Sequence, residues 1–247
     1  MSRRNRDNKE IQRSTRRGSN YSSFEEPTDY SRETIPAYVP IQAKPIVPKN
    51  RNQEEYIHAI RTAQITFGIG PAGTGKTFLA TAVAAEELLD KSVTKLILTR
   101  PAVEAGEDMG FLPGEIAEKF GPYLTPYKEI LIKRLNKGFM EYAIRHDKIE
   151  ASPVGYMRGR TFEDTIVLVD EAQNLTAEQL KMLMTRIGSN CRMIINGDPA
   201  QSDIGSKSGL MDAVRRVKWI PQVAVVTFTV EDIVRSGIVS DIVQSYE

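Results

Sequence analysis

The chain has 247 residues, enough for one sizeable domain with extensions and too few for two full domains beside a polar tail. With 40% hydrophobic and 26% charged residues its composition is that of a soluble globular protein, and no apolar run reaches membrane-spanning length, so no membrane partner is expected. A net charge of +1 gives no overall pull toward nucleic acid, the single Cys191 excludes an internal disulfide, and the absence of an apolar signal segment makes a cytoplasmic location the expectation.

The charge is unevenly spread. Residues 1–20 hold seven Arg and Lys against Asp7 and Glu10, whereas residues 21–34 hold Glu25, Glu26, Asp29 and Glu33 against Arg32. Polar and without periodicity, residues 1–34 are expected to be a disordered tail whose basic end suits RNA or DNA phosphates, or no partner at all. Residues 35–50 carry prolines at 36, 40, 45 and 48 among apolar residues, which suits an extended arm lying on its own domain or on a neighbouring subunit. Tyr56, Ile57, Ala59, Ile60 and Ala63 then follow helical spacing.

Ile65 to Ile69 reads as a buried strand and Phe78 to Leu89 as a helix, and between them stand Gly70, Pro71, Ala72, Gly73, Thr74, Gly75, Lys76 and Thr77. This is the spelling and context of a phosphate-binding loop. Glycines let successive N–H groups turn inward toward phosphate oxygens, and the helix N-terminus adds partial positive charge. Lys76 is placed to reach the β- and γ-phosphates of a nucleotide, and the Thr77 hydroxyl to ligate Mg²⁺.

Thr94 to Thr99 predicts a second strand, leading into Arg100-Pro101 and a Gly- and acid-rich loop to Gly114. Glu115 to about Asn136 predicts a long helix interrupted near Gly121-Pro122 and at Pro126; Phe139 to Asp147 predicts another, and Ile149 to Ser152 a short strand. Pro153 to Thr161 reads as a loop carrying Arg158 and Arg160. Ile166 to Val169 is a run of apolar residues suited to a strand buried on both faces, and it ends in Asp170-Glu171. Carboxylates at a strand's C-terminal end face the crevice where α/β sheets bind ligands. Asp170 is the candidate second Mg²⁺ contact, and Glu171 the candidate base or orienter for the attacking water. Thr176 and Gln179 form a capping box for a helix to about Ile187. Cys191 to Asn196 predicts a strand delivering Gly197 to Gln201 to the same edge; Leu210 to Val217 predicts a helix, Val223 to Thr229 a strand, and Thr229 a cap for a last helix. Strands alternating with helices predict an α/β fold with a mostly parallel sheet covered on both faces.

Five ordered blocks, Gly70 to Thr77, Thr99 to Glu104, Arg158 to Thr161, Asp170 to Asn174 and Gly197 to Gln201, resemble the PhoH-type ATPases, which are similar to the first RecA-like domain of superfamily-one helicases. The resemblance covers about residues 50 to 247 and implies a RecA-like ATPase domain over 51–247 that uses ATP and Mg²⁺. It further implies that Gln53 reads the adenine edge, since an amide offers a donor and an acceptor, and that Gln201 senses the γ-phosphate. A helicase of this class places ATP between two such domains, the second supplying an arginine to the transition state. This chain has no room for a second domain, so the arginine is expected in cis or from another subunit, making a ring or comparable homo-oligomer, for example a hexameric ring. Arg235 matches a family arginine and is the first candidate for that finger, ahead of Arg100 and Arg160. The ribonuclease domain fused at the N-terminus of some family members is not expected in the roughly fifty residues before the first helix.

The leading reading is an ATPase that couples hydrolysis to binding, translocation or remodelling of single-stranded RNA or DNA through the 100–113 loop and the basic tail. That loop is acidic at Glu104, Glu107 and Asp108, and the sequence offers no evident aromatic stacking platform. The alternative is a nucleotide-dependent oligomeric scaffold or switch acting on a protein. A metabolite kinase fits Asp170-Glu171 less well, and a lidded chaperone-like ATPase lacks a lid after the last strand. His58 and His146 carry no metal or triad pattern, and Trp219 and the Met residues read as core or surface packing.

Overall fold

The computed structural model describes residues 43–101 and 121–234; the tail, the first part of the arm, most of the acidic loop and everything from Arg235 onward lie outside the described residues. The strands are β1 (Ile65–Ile69), β2 (Lys95–Thr99), β3 (Ile149–Ala151), β4 (Thr165–Val169), β5 (Arg192–Gly197) and β6 (Val223–Thr227). The helices are α1 (Arg51–Thr62), α2 (Lys76–Leu89), α3 (Gly121–Leu135), α4 (Lys137–Arg145), α5 (Ala177–Met184) and α6 (Leu210–Val217). The strands form one sheet in the order β3-β2-β4-β5-β1-β6, with every neighbouring pair parallel.

The alternation of side chains along a strand makes this a three-layer structure. Leu96, Leu98, Ile166, Leu168 and Ile194 face one core with α1 to α4, while Ile97, Val167, Val169, Met193 and Ile195 face the other with α5 and α6. All five residues of β4 are buried, as a strand covered on both faces requires. Parallel register aligns the carboxyl ends: Ile69 pairs with Gly197 of β5, and Val169 of β4 with Ile195. The segments that follow β1, β4 and β5 therefore emerge along one edge.

Local signals account for most boundaries. Asn50 caps α1 through the Gln53 N–H, Asn136 caps α4 through Phe139, and Thr176 and Gln179 make the reciprocal box of α5. Helix α5 stops at Met184 rather than Ile187 because the following residues pair sideways: Phe162 N–H donates to Arg186 O, and Gly188 N–H to Phe162 O. The interruption expected at Pro126 is absent, since α3 runs unbroken from Gly121 to Leu135, while the stretch before Gly121, including the expected break near Gly121-Pro122, lies outside the described residues. Pro126 sits in its second turn, where a missing N–H forgoes a single helical bond. Beyond β6, the expected final helix is one 3₁₀ turn, Val230–Asp232, within the described residues. The described part of the arm lies on its own domain, with the Lys44 carbonyl accepting from Arg134 and Ile46 packed on the core. No helix among the described residues is long and apolar enough to cross a membrane.

Candidate functional site

The phosphate loop leaves β1 at Gly70 and enters α2 at Lys76. Gly70, Gly73 and Gly75 have φ of 137°, 86° and 90°, so the curl uses backbone that L side chains rarely adopt. At Gly70 space is decisive too, because a Cβ there would stand 2.2 Å from the Phe228 carbonyl oxygen. Lys76 folds its ammonium back into the loop, donating to Gly70 O at 2.6 Å and Pro71 O at 2.7 Å. Burial pushes that ammonium below the usual lysine value, against the opposing pull of Asp198, Asp170 and Glu171.

The carboxyl end of β4 meets the start of α2. The Thr77 hydroxyl lies 3.1 and 3.0 Å from the two oxygens of Asp170. Asp170 is buried; loss of solvation raises its pKa, the neighbouring Glu171 adds to that, and the Thr77 bond, Arg100 and Lys76 oppose it. Glu171 adopts a left-handed backbone, φ 56°, at the sharp turn after the strand. Its carboxylate accepts from Gln173 Nε2 at 2.6 Å and pairs with Arg100 at 3.6 Å. Gln201 donates from its side-chain amide to Asp198 at 2.8 Å. Lys76, Thr77, Asp170, Glu171, Asp198 and Gln201 line a cleft of about 380 Å³ that Val234 also lines, its N–H donating to Gly73 O.

The structure thus brings Lys76, Thr77, Asp170, Glu171 and Gln201 to one cleft. Gln53 is placed differently: buried at the start of α1, it donates to Thr74 O at 2.9 Å and accepts from Lys49 N–H at 2.8 Å, and it braces the loop from behind. Arg235 lies outside the described residues. Arg160 is taken up by a bidentate pairing with Glu150 at 2.5 and 2.9 Å. The residue that sequence reasoning passed over is Gln173, 1% exposed, which also accepts from Asp198 N–H at 3.0 Å and so joins the segments after β4 and β5. Its only sequence signal was its place in the Asp170 to Asn174 block.

A hydroxyl and a carboxylate side by side are hard oxygen donors of the kind Mg²⁺ accepts while keeping phosphate and water ligands. Among the described residues no cluster of three or more His, Cys, Asp or Glu suits a cation held by protein alone. A glycine loop between a parallel strand and a helix, with an acidic pair closing the strand next but one, defines a P-loop nucleotide-binding fold of the RecA type.

A family model described as PhoH-like protein matches residues 45–247. Curated relatives include protein PhoH of Escherichia coli K12, 47% identical over 206 residues (82% of this chain, 58% of that one), and the PhoH-like protein of Bacillus subtilis, 44% identical over 208 residues (83% and 65%). The chain belongs to the PhoH family, and it spans less than two thirds of the length of these relatives. Among solved structures, the Sulfolobus solfataricus SWI2/SNF2 ATPase core, in complex with double-stranded DNA, is similar at 15% identity and a TM-score of 0.45, covering 76% of this chain and 46% of that one. That likeness is too distant to bear on function.

Proposed function

We propose that the chain is a Mg²⁺-dependent ATPase that couples hydrolysis to binding and movement of single-stranded RNA or DNA within a homo-oligomer. The observation that carries the reading is the meeting of Lys76 and Thr77 with Asp170 and Glu171 across the end of β5. In it, Lys76 exchanges the carbonyls of Gly70 and Pro71 for the β- and γ-phosphates, and the loop N–H groups from Ala72 to Thr77 hold the remaining oxygens. Thr77 and Asp170 hold Mg²⁺, which when bound neutralises phosphate charge. Glu171 orients the attacking water and takes its proton; Gln173 and Arg100 fix that carboxylate's direction. Gln201 senses the γ-phosphate, Gln53 trades its Thr74 and Lys49 bonds for the adenine edge, and Arg235 acts as the finger of an adjacent subunit.

The test is steady-state ATP hydrolysis with and without single-stranded RNA and DNA, on protein whose mass is measured in the same buffer, with Glu171→Gln as the inactive control. Turnover that needs Mg²⁺, vanishes in the control and rises with a strand is expected. Hydrolysis that persists in Glu171→Gln refutes the site; hydrolysis indifferent to every strand refutes the coupling and leaves the oligomeric switch with a protein partner.

A further inference from the structure

Trp219, the one tryptophan of the chain, is 79% exposed. It follows α6, whose Leu210, Ala213 and Val214 face the core and leave Met211, Arg215 and Arg216 outward. The Lys218 ammonium stands 4.6 Å from the ring centroid, on one face of the indole. Arg215 and Arg216 share a single acid, Asp212, and their side chains are 74% and 72% exposed. Three cations against one carboxylate leave a surplus of positive charge on one helical turn beside a large flat apolar ring.

Trp219 leaves most of a large aromatic ring in water, with the exposed Met211 and Ile220 close by in sequence, so a ligand that covers the ring is favoured. The chemistry here is that of a strand-binding platform: a π-face on which any base stacks, with guanidinium and ammonium groups beside it for the phosphates. We infer that Trp219, Lys218, Arg215 and Arg216 form a contact for single-stranded nucleic acid, separate from the nucleotide cleft. The inference rests on the proposed nucleic-acid coupling and supplies an aromatic platform for it among the described residues.

The location makes the two sites separable. Trp219 precedes β6, which runs parallel to β1, and the phosphate loop follows β1; the patch and the cleft therefore lie at opposite ends of the strands, about 15 Å apart along a five-residue strand. A second copy of the chain is the competing occupant, and it would bury the same ring without regard to salt or strand.

The indole is its own reporter. Titrating the full chain with unlabelled oligo(dT) or oligo(U) at low salt is expected to quench tryptophan emission saturably. Affinity is expected to fall with salt, and Lys218→Ala to flatten that dependence by about 0.7 in the log–log slope. By anisotropy of a labelled oligonucleotide, Trp219→Ala weakens binding about tenfold and Trp219→Phe recovers most of it. An unchanged thermal midpoint shows that the variants fold. Oligonucleotide binding with unquenched emission and no effect of Trp219→Ala overturns the inference while leaving coupling intact. An indole shielded from acrylamide only as the protein assembles, with no response to a strand, overturns it in favour of a self-interface. The absence of any strand binding removes both this contact and the coupling, and leaves the ATPase.

Discussion

Replacing Gln173 separates the chemistry of the cleft from its capacity to bind. The side chain is 1% exposed, and its amide donates at 2.6 Å to Glu171, while its carbonyl accepts from Asp198 N–H at 3.0 Å. Gln173→Ala leaves the Asp198 N–H without its acceptor, at about 1–3 kcal/mol of stability. It also leaves the Glu171 carboxylate, 41% exposed, with Arg100 at 3.6 Å as its remaining charged partner. General-base catalysis is worth about 10²–10⁴, and a carboxylate free to rotate forfeits part of it, so kcat is expected to fall about 10- to 100-fold. Affinity for ATP is expected to stay within about threefold, because Lys76, Thr77 and the loop N–H groups are untouched. Gln173→Glu keeps the volume and sets two carboxylates face to face, which gives an equal or larger loss without the cavity. Steady-state kinetics, binding of a non-hydrolysable analogue and thermal melts read the three quantities apart. Equal losses of affinity and turnover, or normal turnover in a variant that melts early, would refute the positioning role.

Gly68→Ala is expected to destabilise by about 1–3 kcal/mol in denaturant, because the new Cβ would lie 2.7 Å from Asn196 Oδ1 and 2.9 Å from the Tyr56 ring. The penalty should shrink in an Asn196→Ala background, and equal penalties in both would show that the strain lies elsewhere. Asp170→Asn removes a buried carboxylate whose charged form is disfavoured, so the nucleotide-free protein should melt higher while Mg²⁺-dependent hydrolysis is lost. A lower midpoint would contradict this. The Arg160 bond, aided by Lys95, lowers the Glu150 carboxyl to about 2. A depressed folded value stabilises fully above the unfolded value of 4.5 and is lost as pH falls toward 2. The stability difference between wild type and Glu150→Gln should therefore narrow across that window, and a constant difference would show that the pair does not contribute.

Much of the site was legible because its chemistry is coded locally. The spelling from Gly70 to Thr77 and the apolar run ending in Asp170-Glu171 each imply their own surroundings, and the structure brings them together. The insertion of β5 between β1 and β4 was not legible, since sheet order is fixed by long-range pairing that no window of sequence contains. Gln173 escaped because its role depends on the left-handed turn at Glu171, which aims a neighbouring amide back at the carboxylate. The partners of Gln53 were illegible for a related reason: only the packing of α1 against the loop reveals that both ends of its amide serve the chain. Whether Trp219 packs in the core or at the surface was not legible, because a helix of eight residues gives too short a pattern to show which side the following turn faces.

The start of α1 is where several distant parts of the chain are tied together. Gln53 holds Thr74 of the phosphate loop, Asn52 donates to the Asp232 carboxylate at 2.7 Å, Asn50 reaches the Asp232 carbonyl, and Lys49 is bound to Gln53. The segment that leads into the domain and the one that leads out of β6 are therefore moored to one helical turn, a single bond away from the loop that closes on phosphate. A substitution that displaces Thr74 is expected to loosen both flanking segments together, read as faster amide exchange at Lys49 and Asp232. The outgoing segment has a second tie of its own, the Val234 N–H to Gly73 O, so it touches the loop both through α1 and directly.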